Sequence, residues 1–364
     1  MRVYKGLITI LFLLFVLACE KSHQLSEDQK DEKGTNQENH LQKIIKPADI
    51  EEEFFQNVIG WYDSKSLLYI MNKKSSSEIV RYNIFTGETD TFLSPENPII
   101  QVVPNENRNI FLVHLSPNQY KAILLFVDKK GNEIFKWEIA AYEVHVTWNP
   151  FKETEAYITV FNDDWSHKSY IIDTKTQSIT NSIVTAPFVR WVEDEKILYL
   201  KWNEEEPELS TSLYLYDLIK KTEKEIAHDV IGFVNSGSFL IYLKENKEVK
   251  GEGQFIFLNQ QNFNEISRIN VPLISQYSQW LYPYNTILED QREFYTFFPS
   301  KSIDEEITFD LVKVEIHSGE IQTIKSKVFN EPMLLSPNGE FMLYGYRFEK
   351  LIHLKDMSIK NIIQ

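Results

Sequence analysis

The sequence predicts an all-β fold, a β-propeller of four-stranded blades. Three observations carry this expectation. Hairpin-like segments recur at a mean step of about 45 residues, two further apolar strands precede each hairpin, and a large ring returns near the end of the first strand in most units. Seven units are counted. Six is the alternative, because one step is longer than the rest.

The hairpins include "VRYNIFTGETDTFL" (80–93), "ILLFVDKKGNEIFKWEI" (123–139), "SYIIDTKTQSITNSI" (169–183) and "DLVKVEIHSGEIQTI" (310–324). Each joins an alternating or solidly apolar strand to a short polar turn and a second alternating strand. Gly87, Gly131 and Gly319 stand at bends, where tight hairpins demand a positive φ. The turn centres fall near 87, 131, 176, 221, 262, 319 and 357. The step from 262 to 319 implies an insertion or a miscount. The strands ahead of the hairpins include "SLLYIMN" (66–72), "NIFLVHL" (109–115) and "EAYITVF" (155–161), and those of the sixth unit are expected at 278–284 and 292–298. A β-sandwich pair is the runner-up, but it would not keep a steady period. No unit divides its strands between the chain ends, so the ring is expected to close by side-chain packing alone.

The recurring ring is Trp61, Trp148, Trp191, Phe233 and Trp280. Packing between neighbouring blades is the first reading, because a large flat side chain fills a wedge. A ligand platform around the central channel is the second. Arg190, one residue before Trp191, could bind an anion in the channel or pair with an acid of the next blade, and pairing is preferred. Arg190, Trp148 and Trp191 are therefore the candidate channel or ligand residues.

About 43% of the 364 residues are apolar, enough for a sizeable core. Acids outnumber bases by 53 to 38, a formal charge of −15, which argues against nucleic acid as a partner. There is no nucleophile elbow, phosphate loop or zinc helix. Asp163 and Asp164 in "NDDWSH" lack the alternate spacing of a calcium loop. No catalytic residue, metal site or cofactor is expected.

The single cysteine, Cys19, excludes an internal disulfide. It follows a positive start (Arg2, Lys5) and an apolar run from Leu7 to Leu17 that is too short to span a bilayer. "VLAC" at 16–19 resembles the bacterial lipobox. That resemblance implies cleavage between Ala18 and Cys19 and a diacylglyceryl thioether on Cys19. Residues 1–18 are then a lipoprotein signal peptide, 19–50 a lipidated cysteine and polar tether, and 51–364 the propeller. A flexible tether of ~30 residues spans about 30 Å.

"LSPNGEFMLYGY" (335–346) resembles the turn of WD40-like and TolB-type propeller repeats. The whole layout is similar to the uncharacterised Bacillus-type lipoproteins of the YqgU-like family. The resemblance implies six blades, against seven counted here, and carries over no catalytic residue. The expected protein is a monomer anchored to the cell membrane by lipid and facing outside the cytoplasm. Its expected role is a binding or scaffold module for an envelope protein, peptide or glycan. The alternative is a lactonase- or lyase-like enzyme with its site in the channel.

Overall fold

The computed structural model describes residues 44–364 except 74–75, 204–207, 277–278 and 301–306. Ala18 and Cys19 lie outside the described residues.

The strands group into seven units. Unit one is β1 (Phe55–Trp61), β2 (Ser66–Lys73), β3 (Ser76–Asn83) and β4 (Thr89–Leu93). Unit two is β5 (Ile99–Pro104), β6 (Ile110–Asn118), β7 (Lys121–Asp128) and β8 (Glu133–Ala140). Unit three is β9 (Glu143–Trp148), β10 (Glu155–Phe161), β11 (His167–Asp173) and β12 (Ser178–Asn181). Units four and five share one sheet: β13 (Val189–Glu193), β14 (Lys196–Lys201), β15 (Thr211–Asp217), β16 (Thr222–Asn235), β17 (Phe239–Glu245), β18 (Glu252–Asn259) and β19 (Glu265–Pro272). The long β16 is the outer strand of unit four and then the inner strand of unit five, pairing first with β15 and then with β17. A short hairpin follows, β20 (Ser275–Gln276) and β21 (Gln279–Trp280). Unit six is β22 (Asn285–Leu288), β23 (Glu293–Pro299), β24 (Phe309–Glu315) and β25 (Ile321–Val328). Unit seven is β26 (Met333–Leu335), β27 (Phe341–Tyr344), β28 (Lys350–His353) and β29 (Ser358–Asn361).

The core is divided in the same way. Among the described residues there are seven buried clusters, and each bridges two neighbouring units: seven with one, one with two, and so on around. Seven wedges filled by seven clusters make a closed ring of seven blades. The second strands read as solid apolar runs because both of their faces are buried, as in β6, where Ile110 to Leu115 are all buried. Each fully buried aliphatic or aromatic side chain contributes about 1.5–3 kcal/mol.

Every hairpin between the last two strands of a unit has one left-handed residue at the same place. Three are the expected Gly87, Gly131 and Gly319, and the other four are Gln177, Lys221, Phe263 and Met357, at φ 55–59°. Side chains hold these turns. Asn83, Asp128, Asp173, Asp217 and Asn259 each accept backbone N–H bonds from residues two to four positions on. This Asx capping explains how an all-β chain manages with 12 glycines.

Three expectations are corrected. The inner strand of unit six is β22, not 278–284; the long step holds the extra β20–β21 hairpin, whose apolar Ile274 and Leu281 pack against the wedge between units six and seven. The tether was expected to run to 50, yet Ile45, Ala48 and Ile50 are buried in the cluster between units seven and one. The chain joins the folded unit at Ile44. Closure also uses backbone. Ala48 N–H donates to the Ile362 carbonyl (2.8 Å), Gln364 N–H donates to the Ala48 carbonyl (2.9 Å), and the two segments form a parallel bridge. Arg347 of unit seven clasps unit one, donating to the carbonyls of Gln56 and Phe55 at 2.9 Å each.

Candidate functional site: the loop face and the channel mouth

Antiparallel strands sort the loops onto two faces. Links between second and third strands, and links between units, lie on one face; the other two kinds of turn lie opposite. The large exposed aromatics follow this division. Tyr120, Tyr142, Trp165, Phe188, Trp202, Tyr284, Phe329 and Tyr346 all belong to the first face, and among the described residues only Phe151 lies on the other. Contact surfaces of folded proteins commonly form on exposed apolar patches, and aromatic residues dominate their energetics.

The densest part joins the rim to the channel. Tyr142 meets Trp165 edge-on (6.2 Å between ring centres), Trp165 meets Phe161 (6.0 Å), Phe161 meets Phe188 (5.9 Å), and Phe188 meets His145 of the inner strand β9 (4.9 Å). Trp165 is presented by a tight turn. Its φ is 65°, and the Asp164 carboxylate accepts the Ser166 N–H (2.9 Å) and hydroxyl (2.6 Å). Asp164 therefore serves the turn, and no group of three metal-type ligands occurs among the described residues. Beside Phe188 opens a groove of about 590 Å³, lined by Ile183 to Phe188, Tyr199, Lys201, Trp202 and Glu223. Burial works against ionisation of Glu223. The Lys201 ammonium (2.7 Å) and the Tyr199 hydroxyl outweigh it and hold the carboxyl below its usual range.

On neighbouring inner strands stand His145 of β9, Arg190 of β13 and Gly232 of β16, the last packed against the ring of Tyr282, which follows the extra hairpin. Burial, and then the charge of Arg190, push the His145 imidazole down to about 4, so it is neutral at pH 7. Arg190 was expected to pair with an acid of the next blade. It is exposed and has no ion pair or hydrogen bond among the described residues. Burial raises the Tyr282 phenol strongly, the Asn285 side chain beside it pulls the other way, and no hydrogen bond of good geometry reaches the buried hydroxyl. Sequence reasoning missed Tyr282; the signal was Gly232, whose bare Cα accepts the ring. A Cβ there would stand 2.4–2.7 Å from three atoms of the Tyr282 ring. Gly232→Ala is therefore expected to cost about 1–3 kcal/mol in urea unfolding, and a variant as stable as the wild type would refute this seating.

Trp148 and Trp191, the other candidate ligand residues, are closed to a ligand. They are 8% and 2% exposed. Their indole N–H groups donate backwards to the preceding unit's inner strand, Trp148 to the Val103 carbonyl (2.9 Å) and Trp191 to the Thr147 carbonyl (3.3 Å). Trp61 does the same to Leu334 of unit seven (3.4 Å). The aromatic column is blade-to-blade packing with a hydrogen-bonded hook. Trp280 is outside it, in the extra hairpin.

The chain matches the model of the YqgU-like 6-bladed beta propeller domain over residues 83–345. That stretch takes in units two to six whole and parts of units one and seven, whereas the described chain forms seven units. It is 28% identical over 363 residues to the uncharacterized lipoprotein YqgU of Bacillus subtilis (strain 168), covering 98% of this chain and 96% of that one. An uncharacterized protein of Listeria monocytogenes EGD-e, lmo1340, superposes with a TM-score of 0.80 at 21% identity, over 88% of this chain and 98% of that one. An oligogalacturonate lyase of Vibrio parahaemolyticus superposes with a TM-score of 0.56 at 12% identity, over 82% of this chain and 87% of that one, a likeness of fold alone. By the family match, the near full-length relative and the ring of four-stranded units, this chain belongs to the YqgU-like β-propeller family.

Proposed function

We propose that this protein is a lipid-anchored, extracytoplasmic binding module that holds a protein, peptide or glycan at the cell envelope through its loop face. The observation that carries the binding role is the gathering of exposed aromatics on that one face, with the Tyr142–Trp165–Phe161–Phe188 run leading to the channel. A lactonase- or lyase-like reading needs charged groups converging in the channel. The inner-strand segments carry His145 and Arg190 near the mouth, and their carboxylates, Glu143 and Glu193, stand exposed at the strand ends.

The anchor rests on Cys19 after Ala18 and the apolar run, and on a relative named as a lipoprotein. No helix among the described residues is long and apolar enough to cross a membrane. Two acyl chains on one cysteine meet the requirement for stable anchoring. Wild-type protein is expected to take up labelled acyl chains, to fractionate with membranes and to be cut by protease added to intact cells. Cys19→Ala is expected to lose the label and leave the membrane fraction. Unlabelled wild-type protein, or a propeller protected from external protease, would contradict this reading.

A further inference from the structure

We infer that the groove between units three and four takes a proline-rich peptide in the polyproline II conformation, with Trp202 and Phe188 as its aromatic rims and the linker 183–188 as a wall of hydrogen-bond donors. The inference rests on the binding role proposed for the loop face and adds to it a place and a class of partner.

The groove, of about 590 Å³, runs between the linker that joins unit three to unit four and the end of β14. Ligand sites commonly measure about 300–1,000 Å³. Its rims are open to a ligand, since Ile183, Phe188 and Trp202 are 52%, 58% and 45% exposed. The Trp202 indole N–H has no partner among the described residues. Tyr199, Tyr216 and Phe233 add further rings to the lining. Grooves lined by aromatic rings are the usual receptors of polyproline II segments, which arrive already ordered.

Hydrogen bonding selects proline among apolar peptides. The acceptors of the wall are already engaged. The Val184 and Ala186 carbonyls accept the Tyr157 hydroxyl (3.0 Å each), the Thr185 carbonyl meets His167 Nε2 (2.6 Å), and the Pro187 carbonyl accepts the Thr159 hydroxyl (2.8 Å). These bonds tie the linker to unit three. The one carboxylate of the lining, Glu223, is taken by the Lys201 ammonium (2.7 Å) and the Tyr199 hydroxyl. Donors remain: the Thr185 and Ala186 N–H groups have no acceptor among the described residues, nor has the Trp202 indole. A run of prolines answers this pattern, because each residue keeps its carbonyl, lacks an N–H and offers a flat apolar ring to Trp202 and Phe188. Sugar hydroxyls donate as well as accept, and their donors would meet acceptors already in use. The Lys201–Glu223 pair cancels its own charge, so the groove asks for none on the ligand.

The test uses the intact chain in detergent micelles and calorimetric titration. The probes are N-acetyl-hexaproline amide, a Gly-Ser peptide of equal length with the same end groups, and a neutral hexasaccharide of N-acetylglucosamine. Hexaproline is expected to bind at least tenfold more tightly than either of the others. Trp202→Ala is expected to weaken it at least tenfold, and Trp202→Phe, which keeps a ring and loses the N–H, by less. Trp202 is exposed and makes no hydrogen bond among the described residues, so the urea midpoint of Trp202→Ala should match the wild type and loss of folding would not confuse the result. Phe151→Ala, on the opposite face, should bind hexaproline as the wild type does. No binding of hexaproline, equal binding of the Gly-Ser peptide, tighter binding of the hexasaccharide, or an unchanged affinity in Trp202→Ala would each overturn the inference. The loop-face role fails separately: a groove that ignores hexaproline while photoreactive residues at Trp165 and Tyr346 still give discrete adducts in cells defeats the inference alone, whereas loss of those adducts counts against the face itself.

Discussion

Trp191→Ala is expected to lower stability by about 3–5 kcal/mol, the range for removing a fully buried aromatic side chain. Trp191 is 2% exposed and sits in the cluster between units three and four with Tyr157, Val184, Val189, Ile197 and Tyr199. Its loss opens a cavity and leaves the Thr147 carbonyl without the indole donor. Trp61→Ala should behave alike and should also loosen ring closure, because Trp61 stacks near Phe341 of unit seven (6.3 Å) and hooks the Leu334 carbonyl. Trp191→Phe keeps much of the fill and should cost less than Trp191→Ala. Urea unfolding midpoints check these values. Were the tryptophans a ligand platform instead, alanine variants would keep wild-type stability and lose only binding.

Acid is expected to weaken the protein through His114. This residue of β6 is 5% exposed, its Nδ1 has no partner, and burial pushes its imidazole down to about 4. The ordinary value in an unfolded chain is about 6.5. The unfolded state therefore binds the proton more readily, and the stability owed to the neutral ring is complete above about pH 6.5. It is lost as pH falls from there towards 4, by about 3 kcal/mol over the whole window. His145, lowered for the same main reason, acts in the same direction. His114→Leu removes one of the two contributions, so its urea midpoint should fall less than that of the wild type between pH 7 and pH 4.5. Identical pH dependence in both proteins would contradict this account of His114.

Much of the ring is legible in the sequence because its signals are local. Strand alternation, a bend every 45 or so residues and Gly87, Gly131 and Gly319 can all be read within one unit. The Asx residue that opens five of the seven hairpins was equally local and would have sharpened the turn positions. Features set by distant partners were not legible. Ile45, Ala48 and Ile50 lie in a polar stretch without periodicity, and what buries them includes Leu351 and Ile362, some 300 residues away. The hairpin at Ser275–Trp280 imitates an inner strand because it ends in a tryptophan, as β1 and β9 do, while β13 carries Trp191 two residues before its end. Arg190 was visible as an unusual residue. Its lack of a partner was not, since that depends on which side chains the ring brings near. Tyr282 gave no sign apart from a glycine 50 positions earlier.

The central claim is that the loop face does the binding, and site-specific photocrosslinking in intact cells tests it most directly. A photoreactive residue is placed at Trp165 or Tyr346 on the loop face, and at Ile219 or Phe151 on the opposite face, all of them exposed. The account predicts discrete adducts from positions 165 and 346 and none above background from 219 and 151. Adducts confined to the opposite face, or equal from both, would contradict it.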